Sequence, residues 1–200
     1  MISTTERQVK FKAVLKEFGQ VMLFLAVLGG VLAFVARDYR SQTFIWYCDA
    51  ETLVSYQDLL HFDAQGQKFT GAMLQSSEVS HTGKYSMKLS PEHPFGFQSE
   101  VEGLWGNETV SLSIWRYSPD AAGQGAGKGA GVVAEVRGPY YSFNNKIVET
   151  SPEGWEKIEF SFRVDCRSEG KTLRIYCWNN TDVPVYFDDL ELKIERKGLF

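Results

Sequence analysis

Three cysteines in 200 residues are too few to staple a small disulfide-framed domain. Charge of one sign is equally scarce. The chain carries 21 Lys and Arg against 25 Asp and Glu, a net −4. That balance gives no support to a nucleic-acid partner, whose footprint is a clustered basic surface. Catalytic signatures are missing as well: there is no HExxH, no GxSxG and no His/Cys set at metal spacing, and His61, His81 and His93 stand apart. The glycine-rich run from Ala121 to Gly131 fails as a phosphate loop. Gly129 follows Gly127-Lys128 where Ser or Thr is needed, and Ala122 holds the place of the first glycine. Gly129-x-Gly131-x-x-Ala134 meets the dinucleotide pattern, but Gly138-Pro139 lies where its helix should run. A flexible hairpin loop is the better account. These absences predict a protein that is not an enzyme. A 44% hydrophobic share excludes a disordered chain and supplies one sizeable core.

Charge is distributed unevenly. Residues 1–40 hold 6 Lys and Arg against 3 Asp and Glu, while residues 41–200 hold 15 against 22. From Phe18 to Ala36 nothing is charged. As a helix this run would be roughly 28 Å long, close to the ~30 Å hydrocarbon core of a bilayer. It reads as a transmembrane signal-anchor over 18–36. A cleavable signal peptide ending near Val31-Leu32-Ala33 is the rival. Ser3-Thr4-Thr5-Glu6 forms a capping box that would start the helix within 1–17. Arg7, Lys10, Lys12 and Lys16 precede the run and only Arg37 and Arg40 follow closely. That asymmetry predicts a cytoplasmic N-terminus and a periplasmic or extracellular remainder. Tyr39, Phe44, Trp46 and Tyr47 read as an interfacial aromatic belt in a juxtamembrane linker, 37–57.

Beyond that linker the pattern alternates with a period of two. Val110, Leu112 and Ile114 alternate with Ser111, Ser113 and Trp115; Ile158, Phe160 and Phe162 with Glu159, Ser161 and Arg163. Leu173, Ile175 and Cys177 alternate with Arg174, Tyr176 and Trp178, and Leu190, Leu192 and Ile194 with Asp189, Glu191 and Lys193. Each run predicts a strand with one face on a core. Shorter candidates fall near 58–63, 67–74, 84–89, 97–102, 131–137 and 140–149, and turn clusters such as Ser151-Pro152-Glu153-Gly154 separate the runs. Eight to ten short strands point to an all-β antiparallel sandwich over 58–196.

Four of these segments carry a family resemblance. Ser80-His81-Thr82-Gly83-Lys84-Tyr85-Ser86-Met87-Lys88-Leu89 resembles the "hsGkySlkl" strand of galactose-binding-like jelly rolls, a group that includes xylan- and glucan-binding carbohydrate-binding modules. Val110 to Tyr117, Gly154-Trp155-Glu156-Lys157-Ile158 and Val185-Tyr186-Phe187-Asp188-Asp189-Leu190 resemble later strands of that fold, in the same order. The resemblance implies a jelly roll and a structural calcium between the first strand and the closing Asp. Asp63 and Asp188 match those places, and Glu78 offers a third oxygen ligand. Asp188 accepting backbone hydrogen bonds at a strand end is the alternative.

Sugar sites set flat aromatic rings against pyranose faces among a few polar groups. Trp115, Tyr117, Tyr176 and Trp178 fall opposite core positions, Tyr140 and Tyr141 follow a turn, and Asn179 follows Trp178. These seven are the predicted ligand contacts. Two readings stay open: non-enzymatic glycan binding or tethering by a membrane-anchored module, or an accessory subunit docking a membrane-protein partner through the same rings. With Cys48, Cys166 and Cys177, at least one thiol is free or intermolecular, and a Cys166–Cys177 bridge is allowed but not required.

Overall fold

The computed structural model describes residues 18–31, 41–119 and 129–198. It divides into two units, one of Met1–Ser41 with Lys197–Phe200 and one of Gln42–Arg196. In the first, residues 18–31 form a helix, α1, whose apolar side chains are exposed. Among the described residues no helix is long and apolar enough to cross a membrane. This corrects the transmembrane reading of 18–36 and the single-pass topology derived from it. The capping box at Ser3–Glu6 and the flanking basic residues lie outside the described residues, as does residue 32 onward of that run.

The second unit is built from fourteen described strands: β1 Gln42–Cys48, β2 Leu53–Tyr56, β3 Leu59–Ala64, β4 Gln67–Phe69, β5 Gln75–Ser76, β6 Ser86–Leu89, β7 Phe95–Val101, β8 Thr109–Tyr117, β9 Ala130–Val136, β10 Tyr140–Asn144, β11 Ile147–Thr150, β12 Glu156–Arg163, β13 Leu173–Asn179 and β14 Val185–Arg196. The predicted alternation is met residue by residue in β8, where Val110, Leu112, Ile114 and Arg116 are buried and their neighbours half-buried. All ladders are antiparallel. One sheet runs β11-β12-β8-β14-β6-β5, with β1 also on β14; a second runs β10-β9-β13-β7; a third, small one runs β2-β3-β4. Their inner faces share one core that includes Phe62, Phe69, Phe97, Leu112, Ile158 and Phe187. The all-β antiparallel sandwich follows directly from these pairings.

Residues 42–56, read from the sequence as linker and belt, hold two strands. Their aromatics do the work of a strand face: Phe44 and Trp46 alternate inward, pack on the core and stack at 5.7 Å, as β1 pairs with β14 over its whole length. Cys48, Cys166 and Cys177 are all free thiols, Cys166 exposed and the others buried.

Bulges in β7, β11 and β14 break the period of two, and those in β7 and β14 bear on the site. In β7 the pairs Gly96–Cys177 and Ser99–Ile175 enclose one extra residue on β7, and Phe97 takes a left-handed φ of 43°. In β14 the pairs Asp188–Trp115 and Glu191–Ser113 enclose another, with Asp189 at φ 49°. A bulge moves the residues beyond it to the opposite face of the sheet. Phe95 is therefore half exposed while Phe97, two residues on, is fully buried.

Candidate functional site: the outer face of the four-stranded sheet

Strand register assembles one face from residues far apart in the chain. In antiparallel ladders, directly opposed residues share a face of the sheet. Trp178 on β13 stands opposite Phe95 on β7 and Gly131 on β9. Two residues back, Tyr176 opposes Val133, which in turn opposes Phe143 on β10. Two further back, Arg174 lies between Glu100 and Glu135, and Glu135 opposes Tyr141. The outer face thus holds an aromatic cluster bordered by a row of charge.

The rings touch one another. Phe95 stacks on Trp178 at 6.3 Å and meets Tyr176 edge-on at 5.8 Å; Phe143 meets Trp178 edge-on at 5.4 Å. Val133 is wholly buried beneath this face although it lies outside the core cluster. Phe95 and Tyr141 are more than half exposed, at 52% and 59%. Gly131 has a local reason: a Cβ there would lie 2.3 Å from the Asn144 carbonyl oxygen. Only glycine permits the tight β9–β10 approach beside Trp178.

Charge on the face is balanced within it. Arg174 donates through Nε to Glu100 at 3.2 Å and through Nη1 to Glu135 at 3.3 Å, and the Glu100 contact chiefly raises its pKa. Glu100, Glu135, Arg137, Thr172 and Arg174 line a depression of about 420 Å³. Burial, and then the charge of Glu135, push the Tyr176 phenol above its ordinary pKa, so it stays a hydroxyl donor at neutral pH.

Of the seven predicted contacts, the structure brings Tyr141, Tyr176 and Trp178 to this face. Trp115 and Tyr117 stand on the outer face of the other sheet, where Trp115 stacks on His81 at 4.1 Å and Tyr117 packs against Trp155 and Tyr186. Tyr140 points inward and stacks on Phe162 at 4.1 Å. Asn179 is buried; its amide donates to the Leu89 and Val183 carbonyls and its oxygen holds Thr181. Phe95, Glu100, Glu135 and Arg174 were not foreseen. Arg174 and Glu135 were visible as outward positions of alternating strands, but Phe95 was hidden by the bulge.

The three carboxylates proposed for calcium are engaged separately. Asp63 accepts from the Gly66 amide in the β3–β4 turn. Glu78 binds Lys88 at 2.7 Å and accepts from the Tyr186 hydroxyl. Asp188 is fully buried, and its Oδ2 accepts the His81 and Thr82 amides at 2.8 and 3.3 Å while Oδ1 accepts the Asp189 amide at 2.8 Å. The bulge puts Asp188 opposite Trp115 rather than in phase with Leu192. Glu51, unforeseen, caps the neighbouring loop by accepting from the Lys84 and Tyr85 amides. Among the described residues no group of three or more His, Cys, Asp or Glu could hold a metal ion. Around the same bulge, Asp189 accepts from the Tyr47 and Thr82 hydroxyls at 2.5 and 2.6 Å and lies 2.6 Å from His81 Nδ1. This knot ties β1 and the 80–84 loop to β14.

No family model and no curated protein matches the chain. Solved structures with a similar course of chain include the CBM22-2 xylan-binding domain of Paenibacillus barcinonensis Xyn10C, 19% identical over 73% of this chain and 96% of that one, with a TM-score of 0.42. The CBM22-1 xylan-binding domain of the same protein is 13% identical over 76% and 94%, with a TM-score of 0.45. A Stig cyclase, Fisc, from Fischerella sp. TAU is 14% identical over 79% and 90%, with a TM-score of 0.44. Likenesses this distant, to binding modules and to a cyclase alike, decide neither ligand nor activity.

Proposed function

We propose that this protein binds a glycan, without transforming it, on the outer face of β7-β13-β9-β10. The observation that carries the reading is the platform of Phe95, Trp178, Tyr176, Phe143 and Tyr141, gathered from three strands onto one face. Outward sheet positions ordinarily hold polar residues. Rings presented together, with hydroxyl and charged groups beside them, match what the apolar C–H faces and hydroxyl edges of a sugar require. Arg174 is held between Glu100 and Glu135, so its charge is compensated within the face, and the fitting ligand is a neutral glycan.

The test is affinity electrophoresis and calorimetry of the full chain against soluble polysaccharides, xylan, β-glucan and galactan among them. Removing one stacking ring costs about 1.4 kcal/mol or more, so Trp178→Ala and Tyr176→Ala are expected to weaken binding about tenfold each. Trp115→Ala, on the other sheet, leaves it unchanged. Silence across the panel, or binding lost with Trp115 and kept without Trp178, refutes the reading.

A further inference from the structure

The four-stranded sheet does not end at β7. Thr70, just after β4, bridges to Gln98, and its amide donates to the Gln98 carbonyl at 2.8 Å. The Ser99 hydroxyl donates to the Lys68 carbonyl at 2.8 Å, and Gln67 Nε2 donates to Ser99 Oγ at 2.6 Å and to the Glu100 carbonyl at 3.0 Å. These bonds stitch β4 to β7 and carry the outer face on across β4, β3 and β2. Phe62 and Phe69 take the core side of the small sheet, which leaves His61 and Lys68 on the other.

Here the face becomes a cleft of about 540 Å³, lined among others by Tyr56, His61, Lys68, Thr70, Gln98 and Glu100. That volume lies within the usual range of small-molecule sites, roughly 300–1,000 Å³. Glu100 lines both this cleft and the charged depression beside Tyr176, so the two adjoin there. Its wall is stiff: Tyr56 meets His61 edge-on at 6.1 Å, and Lys68 Nζ sits 3.0 Å from the centre of the Tyr56 ring.

His61 is the unexplained group. It is nine-tenths buried, and its Nδ1 has no hydrogen-bond partner among the described residues. Burying a polar atom without a partner costs about 1–3 kcal/mol, and an orphaned N–H is rarer than an orphaned acceptor. Placing the proton on Nε2 avoids an orphaned N–H and leaves the ring a donor for a ligand in the cleft that His61 lines. Lys68, Gln98, Thr70 and Glu100 add donors and acceptors at its edges. Groups of both kinds around one aromatic edge suit vicinal hydroxyls, which donate and accept together.

We propose that this cleft is a separate saccharide subsite that seats a single neutral sugar unit at one end of the glycan face, with His61 Nε2–H bonded to a sugar oxygen and Tyr56 as its wall. The inference rests on the glycan reading and adds that the ligand is gripped at a unit the β2–β4 wall encloses.

The test is an NMR titration of the full chain with D-xylose, D-glucose, D-galactose, D-mannose and L-arabinose, one at a time, following the His61 imidazole and Tyr56 ring signals. At least one sugar is expected to shift both saturably. His61→Phe and Tyr56→Ala each weaken that response about tenfold, whereas Trp178→Ala preserves it. Tyr56 is 46% exposed, so its truncation leaves the core intact should His61→Phe fail to fold. If polysaccharide binds through Trp178 but no sugar shifts His61, or the shifts fall only on the Trp178 and Tyr176 rings, the subsite is refuted and the glycan face stands. If His61 shifts survive while no polysaccharide binds at all, the face is refuted and the cleft stands. If neither responds, both are refuted.

Discussion

Arg116 offers a quantitative test of how the sandwich is held together. It continues the inward phase of Val110, Leu112 and Ile114 and is fully buried, so its guanidinium sits at the end of the core. Nε donates to Glu156 Oε2 at 3.1 Å, Nη2 donates to the same oxygen, and Nη1 donates to the Ala130 carbonyl at 2.5 Å. The side chain thereby fastens the first residue of β9 to β8 and β12. Removing one partner of a fully buried ion pair costs about 3–5 kcal/mol, because a charge is left without compensation. Glu156 is 24% exposed and the Ala130 bond survives, so Glu156→Ala should cost somewhat less, about 2–4 kcal/mol. Arg116→Met removes the buried charge itself. It strands only the Ala130 carbonyl and a carboxylate that water can reach, for about 1–2 kcal/mol. The double variant should sit near Arg116→Met, since without the guanidinium the carboxylate has little left to do. The cycle then shows a coupling of about 2–4 kcal/mol, the cost of Glu156→Ala itself. Urea unfolding of the full chain, followed by tryptophan fluorescence, reads these differences in the midpoint at constant slope. In heating experiments the Glu156→Ala loss appears as a Tm lower by roughly 6–12 °C for about 3 kcal/mol. Additive effects, or Arg116→Met proving worse than Glu156→Ala, would refute the reasoning.

Two further outcomes follow from single positions. Burial, with the neighbouring Asp189 charge, raises the Asp188 pKa to about 7 against the pull of three backbone amides. Between about pH 4 and pH 7 the folded chain therefore keeps a proton that the unfolded chain has released. Stability falls as pH rises through that window, by on the order of 4 kcal/mol, and is recovered on acidification. Tm measured from pH 4 to 8 checks this: Asp188→Asn should flatten the slope, and a variant that keeps it excludes Asp188 as the cause. At Gly131 the obstruction is the Asn144 backbone, which cannot swing aside as a side chain would. Gly131→Ala should cost about 1–3 kcal/mol in urea unfolding and weaken polysaccharide binding by displacing β10 and Phe143; a change below about 0.5 kcal/mol would contradict the packing.

Most strands were legible in the sequence because alternation is local. Val110 to Ile114 of β8 and Ile158 to Arg163 of β12 show by polarity which side each residue takes, and turn residues mark the ends. The site was less legible. Trp115 and Trp178 look equivalent along the chain, yet they belong to different sheets, and only β13 meets β9 and β7. Phe95 and Phe97 look like two members of one face, and the bulge between them sends one to solvent and the other to the core. Asp188 and Asp189 suffer the mirror confusion in β14. The capping role of Glu51 had no signal in the sequence, because its partners are the amides of Lys84 and Tyr85, more than thirty residues away. The uncharged run at 18–36 predicted a membrane span from hydropathy and length, whereas among the described residues no helix is long and apolar enough to cross a membrane.

The sequence by itself determined which segments become strands, that they form an antiparallel all-β sandwich, and which side chains of each regular strand turn inward. It could do so because those outcomes depend on period and polarity within a few residues. The tertiary structure alone decided which outward faces lie side by side, where extra residues reverse the alternation, and that a buried carboxylate is held by amides. Those outcomes depend on the register between strands far apart in the chain. Register is a property of the pairing, and no single strand contains it.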